Sequence, residues 1–373
     1  MKNPLNIVII CGTIYPLISP RSTRATELAI ELARKGHNVT IYSLLGRYDY
    51  SQFSNKYNIV IKNLGISYFG NINSDGKKND NILNKFATRL FFKLIDFPRI
   101  EYLFMVIKVL KHMRKFDYLI TIAHPFPIHW GVCLFKSFYR KSIFKFWVSD
   151  CGDPFMGDPD IRRPFYLKYI EKCWCKSTDL ITVPIENAVR GYFPEYRDKI
   201  RIIPQGVRID NIEIVEYQRN SIPTFAYCGA TYNGFRDPKR FLLYLSTLDI
   251  DFRFVVYTPD NSVFHLFKKL LGNKLDIRTY IPREKLIPVL SSMDFLINIK
   301  NESQVQQPSK LIDYSLAKRP VIEITTSFHE KATFEQFLRG DYSNQMVLPD
   351  ISKYNISNIA DKFIELYYEN KNK

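Results

Sequence analysis

Apolar runs of strand length alternate with helical patterns along most of this chain. Residues 6–11 (NIVIIC) are apolar after Asn6 and stop at Gly12, a pattern that predicts a buried strand. Residues 24–35 (RATELAIELARK) place Leu and Ala at helical spacing, and Gly36 is a typical helix stop before a second strand pattern at 37–43. A strand, a loop, a helix and a second strand in this order predict a βαβ unit and a parallel sheet.

The same alternation continues in two sets of elements. In the first set, further strands are predicted at 118–123, 144–149, 180–184 and 200–204, and one long helix over 86–115. In the second set, strands are predicted at 224–228, 252–257, 276–280, 295–299 and 320–324, and helices at 238–248, 263–271, 284–292 and 310–317. A last helix is predicted at 356–369. The predicted fold class is α/β, with two Rossmann-like, doubly wound parallel sheets.

The two sets of elements divide the chain into domains. Residues 1–205 form the predicted N-terminal domain and 206–355 the C-terminal domain, and residues 356–373 are expected to pack back on the N-terminal domain. Open parallel sheets bind ligands at the carboxyl ends of their strands. Two such sheets that face each other are expected to place these loops on opposite walls of one cleft.

The composition is that of an ordinary globular protein. The chain has 373 residues, 46 % of them hydrophobic, which is enough for two domain cores. No run approaches the roughly 18 apolar residues of a membrane-spanning helix. The N-terminal run lacks a small-residue cleavage site, so the protein is expected in the cytoplasm. The six cysteines lack the spacing of a zinc set and are expected to be free buried thiols, and no metal or cofactor is predicted.

Positive charge is concentrated in the first half of the chain. The formal net charge is +16, and residues 1–200 contribute +13 of it. This imbalance favours an anionic partner: nucleic acid, an anionic membrane face or a phosphorylated substrate. Residues 85–115 combine eight Lys and Arg with six Phe and Tyr. Two interpretations of this segment stay open, a helix that covers the core with a solvated basic face and a surface that lies on an anionic membrane leaflet.

The strongest candidate for a ligand site lies at 307–320. A predicted strand ends at Ile299, a loop follows, and a helix is predicted to begin at about Ser309. The amide groups of a helix start, together with Ser309 and Lys310, suit a diphosphate. Asp313 lies one turn later on the same face, where its carboxylate could accept hydrogen bonds from a ribose. From spacing alone, a capped surface helix with a solvated Lys and Asp remains the alternative.

Residues 308–322 (PSKLIDYSLAKRPVI) resemble the signature of family-4-like glycosyltransferases of the GT-B class, which has the pattern PSKLxEYxAxx(K/R)PV. In that family, the glutamate at the position of Asp313 is the second of an E-x7-E motif and binds the donor's ribose. Val305 occupies the position of the first glutamate. The resemblance implies the GT-B fold and transfer of a sugar from a nucleotide-sugar donor, as in surface-polysaccharide synthesis.

The resemblance extends over nearly the whole chain. Residues 203–207 (IPQGV) are similar to the family's Ile-Pro-Asn-Gly-Val, and 227–229 (YCG) to its Tyr-x-Gly. Residues 234–239 contain the Arg and Lys of a diphosphate grip, and 281–286 are similar to the loop that contacts the nucleobase. The residues that the resemblance assigns to the donor site are Gly206, Gly229, Arg236, Lys239, Ile281, Ser309, Lys310, Leu311 and Asp313. It also implies retention of the anomeric configuration without a metal ion.

Candidate catalytic residues lie in two loops that follow predicted strands of the first domain. Asp150 and Asp153 are paired carboxylates in the loop at 147–155, for which an Asx-type turn is the alternative. The family commonly has a His at the position of Asp150. His124 and His129 follow another strand, and a structural role is the alternative for each, with His124 the better candidate to contact a ligand. Such groups can remove the proton of an acceptor hydroxyl or favour positive charge on the sugar carbon.

The expected function is transfer of a sugar from a UDP- or GDP-linked donor to a hydroxyl of a sugar or a lipid-linked saccharide. The protein is expected in the cytoplasm, peripheral on the inner membrane face. One alternative is a GT-B-fold sugar-nucleotide epimerase, which does not share the PSKL helix start. Others are a non-catalytic protein that binds nucleotide sugars or polyanions, and an inactive relative. Nucleic acid is disfavoured because the basic residues do not form a recognisable binding module.

Overall fold

The computed structural model describes residues 3–17, 19–67, 94–139, 143–158, 161–209, 212–231, 236–300 and 310–371. The chain divides into two compact units, Met1–Arg208 with Tyr354–Lys373, and Ile209–Lys353. Among the described helices, none is long and apolar enough to cross a membrane.

The first unit is built on a parallel sheet that has seven strands among the described residues. The strands are β1 (Asn6–Cys11), β2 (Asn38–Ser43), β3 (Val60–Asn63), β4 (Phe116–Ile122), β5 (Phe144–Asp150), β6 (Leu180–Val183) and β7 (Ile200–Ile202). Their order is β3-β2-β1-β4-β5-β6-β7. The interior strand β1 pairs on both sides, with Ile9 opposite Ile41 and Ile120. An interior parallel strand covered on both faces is apolar along its length, as residues 7–11 are.

Helices cover both faces of the first sheet. In chain order they are α1 (Pro20–Arg34), α2 (Ser51–Tyr57), α3 (Glu101–Lys111), α4 (Pro127–Phe138), α5 (Leu167–Ser177) and, after the second unit, α11 (Ile356–Lys371). Helices α1 and α11 contribute Leu28 and Ile359 to one apolar cluster. Helices α3, α4 and α5 contribute Val106, Trp130 and Trp174 to the other. The C-terminal helix is therefore part of the core of the first unit.

The second unit repeats the plan with a smaller sheet. Its described strands are β8 (Thr224–Cys228), β9 (Arg253–Thr258), β10 (Leu275–Thr279), β11 (Phe295–Ile299) and β12 (Val321–Ile324), in the order β10-β9-β8-β11-β12. The helices between and after them are α6 (Lys239–Ser246), α7 (Ser262–Leu271), α8 (Arg283–Ser291), α9 (Lys310–Ala317) and α10 (Lys331–Arg339). The core is rich in stacked phenylalanines around Phe225. Strands β8 and β11 lie at the centre, and their carboxyl ends are adjacent.

The single helix predicted over 86–115 is wrong in the part that the structure describes. Residues 86–93 lie outside that part. From Asp96 to Ile100 the chain turns, and α3 begins only at Glu101. Asp96 has a φ of 56°, which no regular helix contains, and Pro98 disfavours helical backbone at the residue before it. At the other end α3 stops at Lys111, because the chain must extend into β4.

Candidate functional site

The start of α9 lies where two neighbouring strands of the second sheet end. Lys310 is the first residue of α9, and only 7 % of it is exposed. Its Nζ donates to the carbonyl oxygen of Ile299 at 3.3 Å and lies 4.9 Å from the centre of the Tyr227 ring. The ammonium group is thus fixed at the carboxyl edge of the sheet, where open α/β sheets bind ligands.

The surroundings of Lys310 disfavour its own positive charge. Burial and the neighbouring Arg236 lower the pKa of Lys310 to about 7, against the smaller opposing effects of Cys228 and Glu323. A buried cation beside a second cation is costly unless an anion compensates it. The electrostatics of this corner of the second unit therefore favour an anionic ligand.

Gly229 and Tyr314 fix the backbone beside Lys310. Gly229 follows β8 with a φ of 141°, which favours glycine, and a Cβ there would lie 3.6 Å from the Lys310 side chain. The Tyr314 hydroxyl donates to the carbonyl oxygen of Ile297 at 2.9 Å and accepts from the amide of Cys228 at 3.0 Å. Tyr314 thereby ties α9 to the ends of β8 and β11.

Asp313 lies in the first turn of α9 and is held by an arginine from α8. The Nε of Arg283 donates to Asp313 Oδ1 at 2.5 Å, and 8 % of Asp313 is exposed. Burial raises the pKa of Asp313 above its usual range even with Arg283 beside it. The hydrogen bond engages Oδ1, so Arg283 orients the carboxylate that the sequence assigns to a ribose.

Two of the predicted donor residues, Lys239 and Gly206, make close contacts with other residues of the protein. Lys239 is the first residue of α6, and its Nζ lies 3.3 Å from Asp237 Oδ2 in a partly exposed ion pair. Gly206 belongs to the first unit, where a Cβ would lie 2.4 Å from the side chain of Ile356 in α11. The absence of a side chain at Gly206 is therefore needed for close packing of the C-terminal helix.

The remaining donor candidates lie around the ends of α8 and α9. Ile281 is half-buried and immediately precedes the first turn of α8, and Leu311 is half-buried beside Lys310. Ser309 lies outside the described residues, as does Val305 at the position of the missing glutamate. The structure thus brings together Lys310, Arg236, Gly229 and Asp313 at one edge of the second sheet.

In the first unit, Asp150 is enclosed at the end of β5. Its two oxygens each accept a hydrogen bond of 2.6 Å from Arg24 of α1, and Oδ1 also accepts one of 2.7 Å from Thr182. Arg24 in turn donates to the carbonyl oxygens of Ile203 and Pro204. Asp150 is 1 % exposed. It is the inner partner of a buried ion pair that attaches α1 to the sheet, with both oxygens already occupied.

Asp153 is more accessible than Asp150 and is paired with a different arginine. Its Oδ2 accepts a hydrogen bond from Arg21 at 2.8 Å, and the two side chains are 26 % and 21 % exposed. The guanidinium of Arg21 occupies the space beside Gly152, where a Cβ would lie 1.5 Å from Nη2. Gly152 is therefore required for this placement of Arg21 against the loop.

His124 lies at the end of β4 in a strongly electropositive environment. The ring makes an edge-to-face contact with Phe126, at 4.9 Å between centres. Burial, and then the charges of Arg21, Arg99 and Arg163, lower the pKa of His124 to about 3. The imidazole is therefore neutral at physiological pH, and it can donate or accept a hydrogen bond but is a weak base.

His129 is a structural residue of the first core. It is fully buried, its Nδ1 lies 2.8 Å from the Thr121 hydroxyl, and its Nε2 lies 3.4 Å from Cys151 Sγ. Burial lowers its pKa to about 3.

All six cysteines are free, and Cys173 is exposed whereas the others are buried. Within the described part of the chain, no group of three or more His, Cys, Asp and Glu is placed to hold a metal ion.

Several arginines of the two sites were not singled out from the sequence. Arg24, Arg21 and Arg163 act on the candidate catalytic loops of the first unit, and Arg283 holds Asp313 in the second. One signal was available, since Arg283 lies within residues 281–286, which are similar to a nucleobase-binding loop. Arg24 and Arg21 pair with carboxylates 126 and 132 positions away in the chain and carry no local signal.

Comparison with known proteins finds solved structures that are similar to this chain. No family model and no curated protein matches the chain. TarM matches with a TM-score of 0.62 at 11 % identity, over 98 % of this chain and 99 % of TarM. A glycosyltransferase from Rickettsia africae matches at 0.59 and 16 % identity, over 98 % of each chain. HepE from Anabaena, in complex with UDP-glucose, matches at 0.59 and 7 % identity, over 97 % and 99 % of the chains.

These likenesses cover the full length of the chain and both of its sheets. Two parallel sheets with interleaved helices, matched over whole glycosyltransferase structures, identify the fold as GT-B. The predicted fold class is confirmed. At these identities the likeness concerns the fold, and the chemistry of the site has to be argued from its residues.

Proposed function

We propose that this chain is a glycosyltransferase that moves a sugar from a UDP- or GDP-linked donor to a hydroxyl of a saccharide or lipid-linked saccharide. The main support is Lys310, a buried cation at the carboxyl edge of the second sheet whose surroundings favour an anion. The GT-B fold agrees with this assignment, and HepE, which has a similar structure, was crystallised with UDP-glucose.

The second unit is proposed to hold the donor. Lys310 and Arg236 neutralise the diphosphate, whose negative charge grows as the bond to the sugar breaks. Fixed cations of this kind contribute on the order of 3–4 kcal/mol each to catalysis. Gly229 lets the backbone approach the phosphates, and Asp313, oriented by Arg283, accepts hydrogen bonds from the ribose. Ile281 and Leu311 are proposed to contact the nucleoside, while Ser309 and Lys239 remain candidates for the diphosphate.

The reaction is proposed to proceed with retention of configuration and without a metal ion, as the resemblance of residues 308–322 implies. A glycosidase-type mechanism would need a free carboxylate nucleophile. Asp150 does not fit that role, since both of its oxygens are bonded to Arg24. We assign Asp150 a positioning role for the loop that contains Asp153.

The first unit is proposed to hold the acceptor. His124 is neutral at physiological pH and can hydrogen-bond the acceptor hydroxyl, whereas its low pKa makes it a poor proton acceptor. Asp153 keeps a partly exposed carboxylate beside Arg21 and is the better candidate to take up the proton. These roles divide the reaction between a neutral hydrogen-bonding group and an anionic base.

A peripheral position on an anionic membrane face is proposed for the first unit. On α3, Phe104 is 66 % exposed, and Lys108 and Lys111 are exposed on the same helix. Apolar side chains that enter a leaflet beside cations at the head groups are typical of interfacial helices. We expect flotation with vesicles of phosphatidylglycerol and phosphatidylcholine at low salt, and its loss in 0.5 M salt, where charges are screened within about 4 Å. Absence of flotation at low salt would exclude this position.

The donor assignment is tested by calorimetry with UDP and GDP, followed by release of these nucleotides from a panel of nucleotide sugars with and without acceptors. We expect Lys310→Ala to lower affinity for the nucleoside diphosphate by at least about tenfold, or roughly 1.4 kcal/mol. Lys269→Ala, on the exposed face of α7, is the matched control and should bind as the wild type does. An unaffected Lys310→Ala variant would refute the proposed diphosphate site.

A further inference from the structure

Three arginines from separate segments of the first unit converge on His124. Arg21 lies in the first turn of α1, Arg99 just before α3, and Arg163 in the loop before α5. Each of their charges acts on the His124 ring and disfavours its protonation. The three segments are distant in sequence but meet at the carboxyl edge of the first sheet, beside the end of β4.

Arg21 and Asp153 form a close ion pair within this cluster. The guanidinium of Arg21 lies against Gly152, is 21 % exposed, and donates to Asp153 through Nη2 at 2.8 Å. A guanidinium has five N–H donors in a planar fork. The pair with Asp153 engages only one edge of it.

Arg163 supplies charge from beneath the surface. Its side chain is 6 % exposed, its guanidinium lies 4.3 Å from the centre of the Phe155 ring, and its Nη1 donates to the Phe155 carbonyl oxygen. Asp158 Oδ2 is 3.8 Å away, beyond hydrogen-bond distance. Phe155 packs on Phe126, which contacts His124, so the arginine is connected to the histidine through two aromatic rings.

Arg99 lies at the solvent side of the cluster. It is 43 % exposed, and its Nη1 lies 3.9 Å from Asp96 Oδ1, beyond hydrogen-bond distance. One turn later, the Tyr102 hydroxyl donates to the carbonyl oxygen of Gly12 at 3.3 Å. A Cβ on Gly12 would lie 3.0 Å from the carbonyl oxygen of His124. Tyr102 and Gly12 thus hold the start of α3, and Arg99 with it, close to the histidine.

Three carboxylates lie near the three guanidinium groups. Asp153 is in direct contact with Arg21, Asp158 lies 3.8 Å from Arg163, and Asp96 lies 3.9 Å from Arg99. Burial also raises the pKa of Asp96 to about 6, which weakens its charge in mildly acidic solution. An anion with several oxygens would complement such an array, because guanidinium groups bind phosphate with paired hydrogen bonds.

Exposed apolar side chains border the arginine cluster. Ile95 is 43 % exposed, Phe165 is 74 % exposed and Tyr169 is 61 % exposed. Their segments are joined, since the Tyr166 hydroxyl donates to the carbonyl oxygen of Leu94 at 2.6 Å. A molecule with a phosphate and an apolar chain would therefore meet cations and exposed aromatic surface in the same part of the first unit.

We propose that Arg21, Arg99 and Arg163 bind a phosphate group of the acceptor beside His124. Arg21 and Arg99 contact the phosphate, and Arg163 adds positive potential from below. The assignment of this phosphate to an acceptor rests on the proposed function, whereas the phosphate site itself does not depend on it. The phosphate belongs either to a lipid-linked saccharide or to a water-soluble phosphorylated acceptor.

The test is a titration of the full chain with inorganic pyrophosphate, followed by NMR of the His124 Cε1 proton. The chain has six histidines, and His124→Gln identifies the signal. We expect pyrophosphate to shift this signal at pH 6 and to raise the titration midpoint of His124 by about 1–2 pH units, as a nearby anion does. Arg21→Gln and Arg99→Gln should each weaken the response at least about fivefold, and Lys108→Gln, an exposed cation of α3, should not. Arg99 is largely exposed, so its variant is expected to fold.

The site is refuted if pyrophosphate leaves the His124 signal unmoved, or if the response survives in both arginine variants. Dodecyl phosphate below its micelle concentration distinguishes the sources of the phosphate. A tighter response than to pyrophosphate, lost in Phe165→Ser, assigns the phosphate to a lipid, and an equal response assigns it to a water-soluble acceptor. Lys310→Ala separates this proposal from the donor site, because it should weaken donor binding at least about tenfold and leave the His124 response intact.

Discussion

Arg24 donates two hydrogen bonds of 2.6 Å to the two carboxylate oxygens of Asp150, and both side chains are almost completely buried. The same guanidinium donates to the carbonyl oxygens of Ile203 and Pro204. One arginine thus joins α1, the end of β5 and the chain that follows β7. Buried pairs of this kind are costly to form, but removing one partner leaves an uncompensated charge.

Replacement of Asp150 by Asn should therefore lower stability rather than act only on catalysis. We expect Asp150→Asn to reduce the free energy of unfolding by about 3–5 kcal/mol, because Arg24 would remain buried without a counter-charge. Urea denaturation followed by circular dichroism measures this change.

Asp153→Asn is the matched comparison for this prediction. Its ion pair with Arg21 is partly exposed, so its loss should cost less than about 1 kcal/mol. If Asp150→Asn were as stable as Asp153→Asn but inactive, the positioning role of Asp150 would be wrong and a direct catalytic role would be favoured.

Lys310 should make nucleoside diphosphate binding dependent on pH. Burial and Arg236 lower the pKa of Lys310 to about 7 in the free protein, and a bound diphosphate should raise it. Binding above pH 7 must then take up a proton, so the affinity should fall as pH rises from 7, by up to about tenfold per pH unit. Calorimetry of UDP binding at pH 8 in buffers of different ionisation enthalpy should show uptake of up to one proton.

The Lys310→Arg variant controls for other groups that titrate in this range. An arginine stays charged, so its UDP affinity should be nearly constant between pH 7 and 9. The phosphate group itself is already ionised at pH 8, since its second pKa is about 6. A wild-type protein that binds UDP at pH 8 without proton uptake would contradict the neutral state assigned to Lys310.

Much of the fold could be predicted from the sequence because its central strands are buried on both faces. The predicted ends of strands 6–11, 224–228 and 295–299 coincide with those of β1, β8 and β11. Helix α1 begins at Pro20, four residues before the start that the apolar pattern predicts at residue 24. The Ser19 side chain accepts a hydrogen bond from the amide of Ser22, and Pro20 occupies the first turn. Ser19 and Pro20 are a capping signal, and a pattern of apolar residues alone does not include it.

The two sites differ in how much of them was predictable. The start of α9 is predictable because helix starts have a local sequence pattern, and Lys310 is the first residue of the helix. The partner of Asp150 was not found, because Arg24 is 126 positions away in the chain. Asp150 and Asp153 looked equivalent in sequence, and only tertiary contacts distinguish the buried pair from the accessible one.

Glu171 in the core of the first unit should make stability depend on pH. It is fully buried, its Oε1 accepts a hydrogen bond from the Met156 amide, and its Oε2 has no hydrogen-bond partner among the described residues. Burial raises its pKa to about 7. A raised carboxyl pKa means that the folded state binds the proton more tightly, so the contribution to stability is complete below about pH 4.5 and is lost as pH rises through 7.

Glu171→Gln keeps the shape of the side chain and removes the titration. At pH 8 we expect this variant to unfold at a higher temperature than the wild type, with a gain of about 1–3 kcal/mol, and to differ little at pH 4.5. Glu186→Gln, which alters an exposed carboxylate of the same unit, should change neither value. Equal stabilities of wild type and Glu171→Gln at pH 8 would show that the pKa of Glu171 is not raised in the folded state.

Asp313 should discriminate between a nucleoside diphosphate and a bare diphosphate. In the proposed donor site a ribose hydroxyl would donate to its carboxylate, whereas inorganic pyrophosphate has no ribose and would meet the cations of the diphosphate site, Lys310 and Arg236 among them. We expect Asp313→Asn to weaken UDP binding by about tenfold, or roughly 1.4 kcal/mol. The affinity of Asp313→Asn for inorganic pyrophosphate should be unchanged or slightly higher, because a negative charge has been removed. This affinity is measured in a background that also lacks Arg21, so that the phosphate site proposed for the first unit does not contribute.

Two comparisons make this test of Asp313 specific. Asp249→Asn removes an exposed carboxylate of the second unit and should leave both affinities unchanged. Arg283→Gln should resemble Asp313→Asn in weakening UDP more than pyrophosphate, because Arg283 orients the carboxylate through its 2.5 Å hydrogen bond. Equal losses for the two ligands in Asp313→Asn would mean that Asp313 supports the helix start as a whole, and the ribose contact would then have to be assigned to another residue.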